Sequence, residues 1–236
     1  MTATAADLVA ALAAEAEPQR AVGQSGFFKT GAGQYGEGDR FLGVSMPALR
    51  RLTKPFVPLP LDQVDILLDS EYHEHRSAAL IILVAKARND PASVADFYLA
   101  AVYRGRVNNW DLVDLSAEFI LGEYLFDRPR DILFELARSE SLWERRVAII
   151  STFGFIKHGD PSTTLEIAEV LLSDKQDLIQ KAVGWMLREV GKRVDPAILT
   201  GFLDAHAARM PRTALSYACE HLTPEQRAFY RAQRRG

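Results

Sequence analysis

Residues 108–122 read NNWDLVDLSAEFILG, and within nine of these positions stand an indole and three acids: Trp110, Asp111, Asp114 and Glu118. Carboxylates gathered on one face can stabilise positive charge that develops during bond cleavage, or orient a water for attack. An indole beside them offers a π-face to a cation. At 100° per residue the three acids lie within about 60° of one another on a helix. Trp110 then sits one turn from Asp114. A solvated helix face has the same acidic arc, with Asp111 complementing the positive end of the helix dipole. The elements around the stretch decide between the two.

Those elements are helices. Apolar periodicity, first-turn prolines and Ser, Thr, Asp or Asn caps predict helices over Ala5–Ala16, Pro47–Phe56, Leu61–Leu68, Glu74–Arg88, Pro91–Tyr103 and Trp110–Leu121. The same signals predict Pro129–Ala137, Trp143–Lys157, Pro161–Leu172, Leu178–Gly191, Pro196–Ala208 and Pro211–His221. Alternating strand patterns are almost absent. Residues 27–43, FFKTGAGQYGEGDRFLG, differ: five glycines and four aromatics suit either a short β-hairpin or an ordered Gly-rich loop. They lack the Lys-Ser/Thr ending of a phosphate-cradling loop.

Four helices share a register: HRSAALIILV from His75, WDLVDLSAEF from Trp110, RRVAIISTFG from Arg145 and QKAVGWMLRE from Gln180, each start 35 residues after the last. A helix pair recurring at this period is the mark of an α-solenoid, whose curved side is a binding surface. The predicted fold is therefore all-α, one solenoid of about six helix pairs forming a single domain over residues 1–236. The second slot of the register holds Arg76, Asp111, Arg146 and Lys181. Three of these cations suit a phosphate backbone. An acid among them would repel that ligand unless it met positive charge on a neighbour or on the ligand itself.

The formal charge of −3 and a pI near 6.0 place any polyanion site in a local patch rather than over the whole surface. The single cysteine, Cys219, excludes an internal disulfide and any multi-cysteine metal site, and fits a buried inert thiol in a reducing cytoplasm. The start of the chain lacks a basic n-region, and no apolar run is long enough to span a membrane. His73 and His75 form an H-x-H pair with no third ligand in sequence, which favours a surface pair over a metal site. Trp185 occupies a core slot of the register, and Trp143 has the place of a structural indole. The basic tail RAFYRAQRRG is a further segment that could meet DNA.

Trp110, Asp111 and Asp114 as W-D-x-x-D, then W-E-R-R from Trp143 and QKAVGWMLRE from Gln180, resemble the AlkD-like DNA alkylation repair proteins in both motif and spacing. The resemblance runs from about Phe27 to His221. It implies HEAT-like repeats that cradle duplex DNA, and glycosylase excision of positively charged N-alkylated purines such as 7-methylguanine and 3-methyladenine. Members of this family do so without flipping the base into a pocket, unlike most base-modifying enzymes. By resemblance Asp114 matches the catalytic carboxylate, Trp110 and Trp185 line the lesion site, and Phe27 stands where a tyrosine is expected. Arg146 matches a phosphate contact, with Lys181, Arg76, Arg188 and Arg212 as further candidates. No metal or cofactor is implied. The Gly-rich stretch and the C-terminal MPRTALSYACEHL are similar to the AlkF and AlkG branch, whose insert is thought to touch the minor groove. That branch implies the alternative of a non-catalytic binder of branched or distorted DNA. A protein-binding helical scaffold is the third expectation. The resemblance implies a monomer, cytoplasmic and associated with the nucleoid when bound to DNA.

Overall fold

The computed structural model describes residues 3–233, so the last three residues of the basic tail lie outside the described residues. Two compact units divide the chain after Ser116.

The first unit opens with α1 (Ala5–Ala14), capped by a reciprocal Thr4–Asp7 box, with Leu8 and Leu12 buried. Pro18 begins α2 (Pro18–Phe27), a helix that buries none of its residues. Then come α3 (Met46–Thr53), continued by a 3-10 turn at Lys54–Phe56, and α4 (Leu61–Leu68). The helix α5 (His73–Ala87) packs on α4, α6 (Pro91–Tyr103) and α3. Its C-terminal half is apolar core, Leu80, Ile82 and Leu83 being fully buried. Its first turns bury charge instead: His73, Glu74, His75 and Arg76 are 3, 2, 6 and 4% exposed. Buried charges at this density must be paired. The unit closes with the five-residue α7 (Trp110–Asp114), capped by Asn109.

Of the two readings of residues 27–43, the structure has the Gly-rich loop and no hairpin: Phe27 ends α2, turns run on to Gly38, and an isolated parallel bridge joins Arg40 to Tyr72. Gly33 and Gly38 take positive φ, and Gly36 lies so close to the Phe28 carbonyl that a Cβ would not fit. Strand pairing is thereby displaced by tight turning. The helix expected over Trp110–Leu121 is broken, because α7 stops at Asp114. The Ser116 hydroxyl donates to the Leu112 carbonyl at 2.6 Å, which competes with the helical ladder. Its single proton is thus spent, so the buried Tyr98 hydroxyl donates to Ser116 Oγ at 3.0 Å.

The second unit resumes as a π-turn (Glu118–Gly122). It continues with α8 (Asp131–Ala137), α9 (Leu142–Lys157), α10 (Ser162–Val170), α11 (Asp177–Arg193), α12 (Pro196–His206), α13 (Arg212–Ala218) and α14 (Pro224–Ala232). Here α9, α11 and α13 pack in succession, with α8, α10 and α12 laid against them as their pair partners. This is the layering that a helix-pair repeat requires. Gly184 of α11, a small residue in the register, lets the Ala214 carbonyl of α13 approach its backbone. Among the described residues there is no strand, and no helix is long and apolar enough to cross a membrane.

Candidate functional site

Trp110 is half-buried at the start of α7. The Phe28 ring stacks on it at 5.5 Å between centroids, and Phe27 meets it edge-on at 5.9 Å. Phe28 is buried, whereas Phe27 is 66% exposed. The Gly-rich loop therefore builds an aromatic wall beside Trp110, with its outer ring in solvent. Asp114, also half-buried, lies one turn along the same short helix. Burial, together with the charge of Asp114, pushes the Tyr98 phenol far above its ordinary pKa, so it remains a neutral donor.

Beneath this surface runs a charged network that local sequence signals did not reveal. His73 Nδ1 faces Asp39 Oδ2 at 3.2 Å, and its Nε2 faces Asp111 Oδ2 at 2.8 Å. Arg76 Nη2 donates to the other Asp39 oxygen at 2.5 Å, and Asn109 Nδ2 donates to Asp39 Oδ2 at 3.0 Å. Burial pushes the Asp39 carboxyl up, but the His73 hydrogen bond, the Arg76 charge and the Asn109 amide outweigh it and hold the group below its usual range. Burial pushes His73 down, and its bonds to Asp111 and Asp39 overcome this, raising it to about 9. Glu74 clasps the loop from beside them: Oε2 accepts from Leu42 N at 2.9 Å, while Oε1 accepts from Gly43 N at 2.8 Å and Val44 N at 3.2 Å.

His73 and His75 are thus no surface pair. His75 is buried too, with Nδ1 2.7 Å from the Ser70 hydroxyl. Both ring nitrogens of His73 are taken by carboxylates, and among the described residues no group of three His, Cys, Asp or Glu could hold a metal. Arg76 faces inward to Asp39 and to the Ser70 carbonyl at 2.8 Å. Arg76, a phosphate-contact candidate in the sequence, is thus engaged in the interior, where its charge already meets Asp39. Cys219 is fully buried, and burial pushes its thiol up.

The remaining candidates lie in the second unit. Arg146 is 5% exposed and donates to the Leu178 carbonyl at 2.6 Å. Lys181 pairs with Asp177 at 2.7 Å on the surface of α11. Trp185 is half-buried, 5.8 Å from the Phe153 ring. Arg188 is held by Glu220 and by Glu189 at 3.0 Å. It lines a cavity of about 410 Å³ with Tyr217, Arg227 and Arg231. Arg212 is exposed and donates to the Arg231 carbonyl at 2.7 Å. Sequence reasoning passed over Asp39, Asn109, Glu74 and Phe28. Of these, only Asn109, an Asn directly before the first helical residue, carried a local signal.

Comparison with known proteins agrees with this organisation. A family model described as DNA alkylation repair enzyme matches residues 8–222. A solved structure described as a predicted DNA alkylation repair enzyme from Enterococcus faecalis superposes with a TM-score of 0.71. It covers 89% of this chain and 98% of its own at 16% identity, a likeness of fold. A search of curated proteins gives no match. With the family model spanning both units, the chain belongs to the DNA alkylation repair enzyme family.

Proposed function

We propose that the chain is a DNA glycosylase that excises positively charged N-alkylated purines, 7-methylguanine and 3-methyladenine, from duplex DNA. The observation that carries this is the pairing of Asp114 with the half-buried Trp110 on one short helix, walled by Phe28 and Phe27, in a chain of this family. An alkylated purine bears a formal positive charge and leaves as a neutral base, so no general acid is required. Positive charge then builds on the deoxyribose. The Asp114 carboxylate stabilises that oxocarbenium-like state and orients the attacking water. The indole face of Trp110 favours the cationic base or sugar, and Trp185 offers DNA a second indole face. Arg146, Lys181, Arg188 and Arg212 hold phosphates. The protein acts as one DNA-binding domain, as a cytoplasmic monomer on the nucleoid.

A second reading is favoured by one observation: the docked loop presents Phe27 and Lys29 to solvent beside Trp110. A protein that binds branched or distorted DNA without cutting it would use such a wedge. The test is release of methylated bases from alkylated duplex by wild type and Asp114→Asn, with DNA affinity measured alongside. The expected result is a rate about 10²–10³ lower in the variant, with affinity unchanged. Salt-sensitive binding without any base release would replace the enzyme with the DNA-structure binder. Absence of DNA binding altogether would favour a protein-binding scaffold.

A further inference from the structure

A helix of five residues does not hold itself in place. Something must fix α7, which carries Trp110 and Asp114. The residues on either side of Trp110 are both tied to Asp39. Asn109 reaches it directly through Nδ2, and Asp111 reaches it through the His73 ring. Asn109 also accepts the Trp110 N–H at 2.8 Å. His73 itself is boxed by Phe41 and Phe28, with ring centroids 4.8 and 5.0 Å away, and Phe28 continues onto Trp110.

We propose that His73 is a positioning residue for the candidate site: its imidazolium bridges Asp39 of the Gly-rich loop and Asp111 of α7, fixing the Trp110–Asp114 turn against the aromatic wall. Only the charged ring can donate from both nitrogens. Asp111 Oδ1 is buried with no hydrogen-bond partner of its own, so the balance of that carboxylate rests on His73. Asp39, Asp111, Arg76 and His73 sum to zero charge when the ring is protonated. Loss of the proton leaves a net negative charge in the interior and sets a ring lone pair against a carboxylate.

The following ionisable groups on the packed elements are engaged elsewhere. On α5 itself Glu74 binds the loop backbone, and His75 faces Ser70. Asp69 of α4 holds Arg106 at 2.7 Å, and Asp65 holds Arg104. Arg51 of α3 holds Glu15, and Asp7 of α1 caps its own helix. Tyr98 of α6 binds Ser116, and Asp114 of α7 acts on that phenol.

The purpose of the positioned turn rests on the function proposed above, whereas the positioning can be read without activity. The His73 ring would be followed by nitrogen-15 NMR from pH 6 to 10.5. The Trp110 component of the near-ultraviolet circular dichroism, defined by Trp110→Phe, would be followed in parallel. The ring is expected to titrate near 9, with the Trp110 signal moving at the same midpoint. In Asp111→Asn, which keeps the shape and removes the charge, both midpoints should fall together by about one unit or more. In His73→Gln the Trp110 titration should vanish. A ring midpoint near 6.5 in wild type, or a Trp110 signal that stays flat while the ring titrates, overturns the proposal even if His73→Gln fails to fold. With methylated duplex, the base-release rate should fall on the same alkaline midpoint with DNA affinity held. Tracking of Trp110 with the ring but no release at any pH would sustain the positioning role and reject the glycosylase.

Discussion

At the scale of the residue, pairing decides what each charged group can do. Arg76 and Asp111 occupy equivalent slots of the sequence register, yet both turn inward to one network. The network should be visible in pH-dependent stability. The folded His73 value, about 9, lies above the unfolded 6.5, so the imidazolium stabilises the fold fully below pH 6.5. That contribution declines as pH rises and is gone above about 9. Asp39 is shifted the opposite way, so its contribution is present above 3.8 and lost as pH falls through its depressed value. Urea midpoints of the wild type should therefore be highest between about pH 4 and 6.5 and lower at pH 10. The His73 share is up to about 3 kcal/mol. Much of the decline above pH 6.5 should be absent in His73→Gln, and a variant that declines as steeply as the wild type would assign the alkaline loss to other groups.

At the scale of the element, the Gly-rich loop is docked rather than free, and a single carboxylate takes three of its backbone donors. Glu74 accepts three consecutive backbone N–H groups from residues 42–44. Glu74→Gln would turn an amide donor toward at least one of those donors. It should cost about 1–3 kcal/mol and speed hydrogen exchange at residues 42–44 before the helices open. Unchanged exchange there would show that the Asp39 network, the Arg40–Tyr72 bridge and the aromatic contacts hold the loop without Glu74. None of this was legible in the sequence, because the partners of His73 stand 34 and 38 residues away in the chain. Periodicity reports which face of a helix is apolar, so it found α5, α9 and α11 and the register that joins them. It missed α2, which buries nothing, and α14, whose start was nevertheless written in the Thr223–Gln226 capping box. It also ran a helix through Ser116, where the side chain spends its proton on the backbone. Trp110 and Asp114 were legible as a candidate site only through the resemblance of W-D-x-x-D and its two companion motifs to a known family, whereas the network that holds them was not legible.

At the scale of the whole molecule, charge argues for selective use of a few cations. A net charge of −3 gives DNA no long-range attraction. Many arginines are already spent within the protein: Arg76 on Asp39, Arg145 on Asp174 at 2.7 Å, Arg130 on Asp160 at 2.7 Å and Arg106 on Asp69 at 2.7 Å. Each cation that meets a phosphate releases counterions and steepens the dependence of log K on log salt by about 0.9. Arg212 is exposed, and its hydrogen bond to the neutral Arg231 carbonyl does not neutralise its charge. Arg212→Gln should therefore flatten the salt dependence of duplex binding by about one phosphate equivalent and leave the urea midpoint nearly unchanged. Arg76→Gln should do the reverse. It leaves Asp39 and Asp111 sharing one imidazolium in the interior, a loss of about 3–5 kcal/mol, with the salt slope of the folded fraction untouched. Equal slopes for Arg212→Gln and wild type would remove Arg212 from the DNA contact. A flattened slope for folded Arg76→Gln would mean that binding draws this buried guanidinium outward, and the inward network would then be a state of the free protein alone.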